Sequence, residues 1–370
     1  MREEVALESG SGRAVVADVA MFYGPRSGGI RTYLNEKARI AAETGAFEHH
    51  VIVPGPREQR TGGWHETPSL RLAASNGYRI PLGMRALKRA LRSIRPDFVL
   101  LHDPFWRPHG VTELAHSLGA AVIAVHHASP ALNAAAIPGP DRFYLPVLRR
   151  VYRHAYRDVD AVMSVVDSEE DSGREATIPL RFGLDPAFRP APAVRGSHLL
   201  YVGRLSLEKR IKDLFEAAMH FDPARPVVVI GEGPARRALL GQAAAAGLRE
   251  VSFRPFVGDR ELLARLYREA ACVVDPGPHE TFGLVVFEAA ASGACVVAVD
   301  STPSSWISDG LIETFRAADV AGLVDAVGRA EGRMDRAAAA AAVADRSSWE
   351  RVFQLELESL RELTPRRSRP

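Results

Sequence analysis

The chain is short of cysteine, of charge of one sign and of long apolar runs, and each shortage narrows what it can be. Two cysteines occur in 370 residues, Cys272 and Cys295. Each sits in an apolar run, Ala-Ala-Cys-Val-Val and Gly-Ala-Cys-Val-Val, where a thiol behaves as a small buried hydrophobe. Neither a disulfide nor a cysteine-held metal is expected. No stretch is apolar for the eighteen or more residues that span a bilayer. With 47 basic and 45 acidic side chains the formal net charge is +2, too weak a field to point to nucleic acid as a partner. Residues 1–12 carry Glu3, Glu4 and Glu8 and no apolar segment, so neither a signal nor a transit peptide is read there. The expected location is the cytoplasm.

What is present is material for buried cores: 46% of residues are hydrophobic, and the length exceeds the usual ceiling for one domain. Short β-branched runs alternate with longer amphipathic stretches, the pattern of parallel strands joined by crossover helices, so the fold class is α/β. Strands are predicted at 14–20, 50–53, 97–101, 121–125 and 161–166, then at 198–202, 226–230, 251–254, 271–274 and 294–299. Between the two sets lies Asp185 to Ser197, with three prolines in thirteen residues, a linker composition. The division predicted is 1–185, 186–345 and a closing helical stretch, 346–370. Charge is uneven locally. No acid falls between Glu66 and Asp97, while Arg71, Arg79, Arg85, Lys88, Arg89, Arg92 and Arg95 do. Ala86, Leu87, Ala90, Leu91 and Ile94 share one face of a predicted helix there, a pattern that fits either an ordinary crossover helix or one lying on anionic lipid.

Open α/β sheets bind ligands beyond the carboxyl ends of their strands, where helix N-termini present free N–H groups to an anion. Four segments fit that place. Gly24-Pro-Arg-Ser-Gly28-Gly29 follows the first strand, and its adjacent glycines let backbone approach a phosphate or sugar; a tight turn is the competing explanation. Gly203-Arg204 and Lys209 precede a helix, two cations that could grip a diphosphate from two sides; taken alone, solvated surface charge is the competing and commoner explanation. Glu280-Thr-Phe282-Gly283-Leu284 precedes another helix, and Glu288 follows within an otherwise apolar run where an ordinary surface acid has no place. Ala124-Val125-His126-His127 ends a β-rich run; His126 can donate to a sugar hydroxyl or phosphate, a satisfied structural histidine being the commoner outcome for any lone case, with His127 the bystander.

Two tempting motifs are set aside. Gly231-Glu-Gly233-Pro234 imitates a dinucleotide fingerprint without its third glycine. That shortfall also disfavours a nicotinamide-dependent oxidoreductase. Asp158-Val-Asp160 imitates a metal-holding pair, but an aspartate heading a surface strand explains Asp160 better, and no metal is expected.

Taken together, Gly28-Gly29, His126, Gly203-Arg204 with Lys209, and Glu280-x-Phe-Gly with Glu288 resemble the retaining GT-B glycosyltransferases of family 4, in this order and spacing, from about 13 to 363. Phe22-Tyr-Gly-Pro-Arg-Ser-Gly-Gly and Pro276-Gly-Pro-His-Glu-Thr-Phe-Gly look most like the actinobacterial phosphatidylinositol-type mannosyltransferases within it.

The resemblance implies two Rossmann-like domains facing a cleft, with the closing Trp349 segment crossing back to the first. It implies that Arg204 and Lys209 bind the donor diphosphate and that Glu288 holds the ribose. Glu280 with the amides of Phe282, Gly283 and Leu284 would hold the donor sugar, Gly28, Gly29 and His126 would complete the site, and Asp259 would reach the base. It further implies transfer of a hexose, mannose from GDP-mannose before a UDP-sugar, to a lipid or small-molecule acceptor. A sugar-nucleotide-binding protein without turnover, or an epimerase that converts donor without acceptor, are the competing classes. The sequence departs from the family at Asp300 to Asp309, where a Gly-Gly-x-x-Glu segment is usual, and in the short stretch from Ser164 to Ile178.

Overall fold

The computed structural model describes residues 13–21, 23–24, 29–71, 79–102, 110–127, 141–155, 157–165, 177–280, 282–303, 310–333 and 336–363. Gly28, the turn before it, the terminal tail, most of the 164–178 stretch and part of 300–309 lie outside the described residues.

The alternation read in the sequence resolves into two sheets. The first contains β1 (Val15–Val19), β2 (Glu48–Gly55), β3 (Gln59–Thr61), β4 (Trp64–Arg71), β5 (Arg79–Pro81), β6 (Phe98–Leu101), β7 (Ala121–His126), β8 (Ala161–Ser164) and β9 (Thr177–Pro179). Their order is β3-β4-β2-β1-β6-β7-β8-β9, with β5 beside β4. Pairing is parallel except where β3 and β5 meet β4. Among the described residues, four helices belong to this half: α1 (Gly29–Thr44), α2 (Arg85–Ile94), α3 (Val111–Ser117) and α4 (Asp141–Ala155). Tyr33, Leu34, Ile40 and Ala41 recur at helical spacing and turn α1 onto the sheet, and Gly45, at φ +63°, stops it.

The second sheet is wholly parallel, in the order β12-β11-β10-β13-β14-β15. Its strands are β10 (Leu199–Val202), β11 (Val227–Ile230), β12 (Val251–Arg254), β13 (Cys272–Asp275), β14 (Val296–Val299) and β15 (Ile312–Phe315). Val227 to Ile230, Cys272 to Asp275 and Val296 to Val299 are buried throughout, because helices cover both faces and leave no polar side. Those helices are α5 (Ile211–Ala218), α6 (Arg236–Ala245), α7 (Arg260–Glu269), α8 (Leu284–Ala291), α9 (Val320–Gly332) and α10 (Ala337–Arg346). Cys272 and Cys295 are fully buried and unbridged here, and burial pushes the Cys272 thiol well up. Strand order reverses between β10 and β13, so a crevice opens beyond their carboxyl ends.

Residues 185–197 carry neither helix nor strand. One apolar cluster nevertheless runs from the first sheet to the second through Phe182, Leu184, Phe282 and Trp349. The last helix, α11 (Trp349–Arg361), is capped by Ser348, whose Oγ accepts from the Arg351 N–H at 3.2 Å. It packs on α1 of the first half, with the Phe353 and Tyr33 rings 5.3 Å apart. Beneath that contact lies a buried ionic knot. Lys37 of α1 bonds Asp18 of β1 at 2.9 Å and Glu356 of α11 at 2.6 Å, and the Tyr33 hydroxyl donates to Glu356. Burial alone would raise the Asp18 pKa, but Lys37, His102 and His49 outweigh it and hold the carboxyl well below its ordinary value.

Candidate functional site

The carboxyl ends of β10, β11 and β13 shape the site. The loops after β10 and β11 lock backbone to backbone: the Gly203 N–H donates to Ile230 O at 3.0 Å and the Leu205 N–H to Glu232 O at 2.9 Å. A Cβ on Gly231 would sit 1.9 Å from Gly203 O, and one on Gly233 2.2 Å from Leu205 O. The Gly231-Glu-Gly233 pair lets the Gly203-Arg204 loop pack closely against the loop after β11. Arg204 is exposed at this edge, and its carbonyl accepts from the Tyr201 hydroxyl at 3.0 Å.

Lys209 ends a short 3-10 turn and reaches across to bond the Glu280 carboxylate. Beneath them Asp275 closes β13, fully buried, accepting from the Gly277 N–H at 3.2 Å and hydrogen-bonded to Glu280. A Cβ on Gly277 would lie 3.3 Å from Lys209 Cα, so the chain crosses itself closely here. One ammonium thus faces two carboxyls. Burial, and then the Glu280 charge, push the Asp275 carboxyl up strongly against the pull of Lys209. Burial works against the Lys209 ammonium, but Glu280 and Asp275 outweigh it and its pKa stays above the ordinary value. Sequence reasoning did not single out Asp275; the signal available was an acid ending an apolar strand directly before Pro276-Gly277.

Glu288 projects from α8 and is held on both sides. The Tyr267 hydroxyl donates to it at 3.1 Å and the Arg260 guanidinium at 3.4 Å. Burial pushes its pKa up to about 7, only partly offset by Arg260 and the Tyr267 hydrogen bond. Tyr267 and Arg260 are partners the sequence did not reveal, because both lie on the preceding helix, α7. Asp259 caps that helix, its Oδ1 accepting from the Leu262 N–H at 3.1 Å. Arg204 follows β10 and Glu288 sits on the helix after β13, and β10 and β13 are paired neighbours.

Gly283, at φ +72°, starts α8, whose first N–H groups have no partner within the helix. The Phe282 ring turns away from this end into the seam between the halves, 4.6 Å from Phe182 and 5.7 Å from Phe287. Gly29, the first residue of α1, abuts the same place. A Cβ there would come within 3.5 Å of Phe182 and 3.6 Å of Leu284 Cδ1. The N-termini of α1 and α8, one from each half, therefore meet across the seam.

The two histidines part company. The His126 ring lies 4.9 Å from Tyr152, on the side of the sheet covered by α2, α3 and α4. His127 joins a buried relay, its Nε2 2.7 Å from His102 Nδ1, with His102 Nε2 2.6 Å from Asp18 Oδ1. Burial, with His102 and His126, holds the His127 pKa well below its ordinary value. One expectation needs correcting: Asp160 is buried rather than at the surface. Its carboxylate accepts from the Val122 N–H at 2.7 Å and bonds His116 at 2.9 Å, tying strand β7 to its neighbours. Among the described residues, no group of three or more His, Cys, Asp or Glu is placed to hold a metal ion.

Comparison with known proteins follows the same division. Residues 27–181 match the family described as Glycosyltransferase Family 4, and residues 190–310 match Glycosyl transferases group 1. A GDP-mannose-dependent alpha-(1-6)-phosphatidylinositol dimannoside mannosyltransferase of Mycobacterium tuberculosis is 32% identical over 324 residues, 76% of this chain and 78% of that protein. A GDP-mannose-dependent alpha-mannosyltransferase of the same species is 29% identical, over 77% of this chain and 79% of that one. Sucrose-phosphate synthase from Thermosynechococcus elongatus superposes with a TM-score of 0.68 at 19% identity, over 94% of this chain and 97% of the other. Anabaena HepE in complex with UDP gives 0.71 at 15% identity, over 95% and 100%. These structural likenesses show the GT-B fold.

Proposed function

Because the chain belongs to the family 4 glycosyltransferases and is a glycosyltransferase of the GT-B fold, we propose that it transfers mannose from GDP-mannose to a lipid acceptor, with retention at the anomeric carbon. The observation that carries this reading is the meeting of Lys209, Glu280 and the α8 N-terminus at the crevice between β10 and β13. Arg204, Lys209 and the first amides of α8 bind the diphosphate, Glu280 a hydroxyl of the sugar, and Glu288 the ribose. Gly29 brings the α1 N-terminus to the same anion, His126 at the end of β7 completes the site from the first half, and Asp259 reaches the base.

In the transfer, the bond from the anomeric carbon to the β-phosphate oxygen breaks. The bond to the acceptor oxygen forms on the same face, and the acceptor's proton passes to the departing phosphate. Charge grows on that phosphate in the transition state, where fixed cations and helix dipoles stabilise it most. Closure of the halves excludes the water that would hydrolyse the donor.

The curated relatives named for GDP-mannose support the donor, and one of them is named for a phosphatidylinositol mannoside acceptor. Leu70, Ile80 and Leu82 stand exposed beside the cation-rich α2, which supports peripheral membrane contact through 79–95. A UDP-sugar is the second reading, favoured by the fold relative solved with UDP.

Thermal shift against GDP, UDP and their sugars, followed by product chromatography, tests the proposal. A ligand at a hundred times its dissociation constant stabilises by about 2.7 kcal/mol. A shift with UDP-sugars and none with GDP-mannose rejects the donor, and donor conversion without any acceptor product rejects transfer.

A further inference from the structure

In the first sheet the strand order reverses between β1 and β6, so this half has a switch-point crevice of its own beyond their carboxyl ends. Three buried side chains line up there. Asp18 is the last residue but one of β1, His102 follows the end of β6, and His127 follows the end of β7. His102 joins the other two, its Nε2 2.6 Å from Asp18 Oδ1 and its Nδ1 2.7 Å from His127 Nε2. The two imidazoles stack with centroids 5.0 Å apart and planes at 17°. Both pack against Tyr33, at 5.9 and 6.5 Å. Tyr33 lies one helical turn from Gly29, so the His127 end of the relay approaches the α1 terminus that meets α8 across the seam.

The bonds fix where the protons lie. Asp18 Oδ2 is taken by His49 at 2.7 Å and Lys37 at 2.9 Å. Burial disfavours the Asp18 charge, but Lys37, His102 and His49 outweigh it, so the carboxylate is ionised and can only accept. A proton therefore sits on His102 Nε2. With His102 neutral, its bare Nδ1 accepts from the His127 Nε2–H, and the remaining nitrogen of His127, Nδ1, is left as a bare acceptor. Burial, and then His102 and His126, keep His127 uncharged. A bare ring nitrogen repels phosphate oxygen and accepts from O–H, so the group it suits is a hydroxyl.

We propose that Asp18 and His102 are positioning residues for the transfer, holding the His127 ring in the tautomer whose Nδ1 accepts from a hydroxyl of a substrate in the cleft. A buried carboxylate acting on an imidazole in this way fixes both its tautomer and its orientation. His127, a bystander in the sequence, thereby joins the first half's side of the site. The substrate contact rests on the transferase reading, whereas the tautomer belongs to the free protein, so the two can fail separately.

The test is nitrogen NMR of the full chain labelled with 15N-histidine, with the His127 signals assigned by their loss in His127→Gln. Wild type is expected to show His127 protonated on Nε2 and bare on Nδ1. His102→Gln offers an amide N–H to Asp18 and an amide oxygen to His127, so it should keep that tautomer and most of the turnover. His102→Phe keeps the ring volume and neither bond. It should let His127 exchange between tautomers and lower kcat/KM by about ten- to a hundredfold. The substrate whose KM rises, nucleotide sugar or acceptor, owns the hydroxyl. Wild-type His127 carrying its proton on Nδ1 overturns the proposal, and this measurement stands even where His102→Phe fails to fold. A folded His102→Phe with wild-type kcat and KM overturns it too, leaving the relay a purely structural one. The expected tautomer in a wild type that transfers no sugar rejects the transferase reading and leaves the relay in place.

Discussion

Gly29 and Leu284 face each other at the heads of two helices from opposite halves, and a Cβ on Gly29 would touch the Leu284 Cδ1 at 3.6 Å. Such a contact is an ordinary one, so Gly29→Ala should be tolerated. A longer side chain fills the space that the two helix N-termini share. Gly29→Leu is therefore expected to cut transfer by about a hundredfold or more while the thermal midpoint moves little, since geometry at a reacting centre is far more sensitive than fold stability. Parallel assays of turnover and melting check this; equal turnover in Gly29→Leu and wild type would show that the α1 end plays no part.

Lys209 faces both Glu280 and Asp275, and its loss should be felt in two ways. Transfer by Lys209→Ala should fall about 100- to 1000-fold through lost stabilisation of the leaving phosphate. The two carboxyls would then share a buried site without their counter-charge. Asp275→Asn keeps the acceptor for the Gly277 N–H and removes one acid, so it should retain much of the activity, whereas Asp275→Leu should release Glu280 and raise KM. Steady-state kinetics on the three variants decides the matter. An Asp275→Leu enzyme indistinguishable from wild type would remove Asp275 from the positioning of this site.

How much of this was legible beforehand varies with the kind of residue. Ten predicted strands appear within a few residues of their expected ends, because Val-rich runs such as Val296 to Val299 are buried on both faces and announce themselves. Strands β3, β4, β5, β9 and β15 were not foreseen; in β4 the inward-facing residues are His65, Thr67 and Ser69, so its alternation carries no hydrophobic signal. Gln59 to Thr61 is polar and exposed, and edge strands of three or four residues carry no periodicity to detect. Glu280, Lys209 and Glu288 stood out as charges next to glycine turns or inside apolar runs. Asp275, Tyr267 and Arg260 did not, since their significance comes from partners brought close only by the sheet. Lys37 was the least visible, an ordinary helix lysine in sequence and 1% exposed in the structure.

Glu288 predicts a pH dependence with opposite signs for stability and for donor binding. Its folded-state pKa of about 7 lies above the ordinary 4.5, so the folded chain binds more protons than the unfolded one between those values. The contribution to stability is full below about 4.5 and is lost as pH rises through 7, a difference of about 3 kcal/mol. The ionised carboxylate is the better acceptor for ribose hydroxyls, so donor affinity should instead rise across the same window. Glu288→Gln should flatten both slopes, raise the thermal midpoint of the free protein at pH 8 and weaken GDP-mannose binding. Calorimetric melts at pH 5 and 8, with and without donor, measure both. A Gln variant whose melting retains the wild-type slope would place the titration elsewhere.

The knot of Lys37, Asp18 and Glu356 is what fastens the closing helix to the first half, and removing one member should cost far more than a surface pair would. Glu356→Leu leaves the Lys37 ammonium facing Asp18 alone and strips the Tyr33 hydroxyl of its acceptor. Uncoupling one partner of a buried pair destabilises by about 3–5 kcal/mol, because the remaining charge stays out of water. Glu356→Gln keeps an oxygen for Tyr33 and should lose less. Asp18 adds an acid limit: its folded pKa is depressed, so its stabilisation holds above 3.8 and disappears as pH falls through the lower folded value. Urea titrations of the variants at neutral pH and below 4 report these losses as shifts in midpoint at constant slope. If Glu356→Leu unfolds at the wild-type midpoint, the ionic knot does not hold α11 to α1, and the packing of Trp349 and Phe353 against the Tyr33 ring must do so instead.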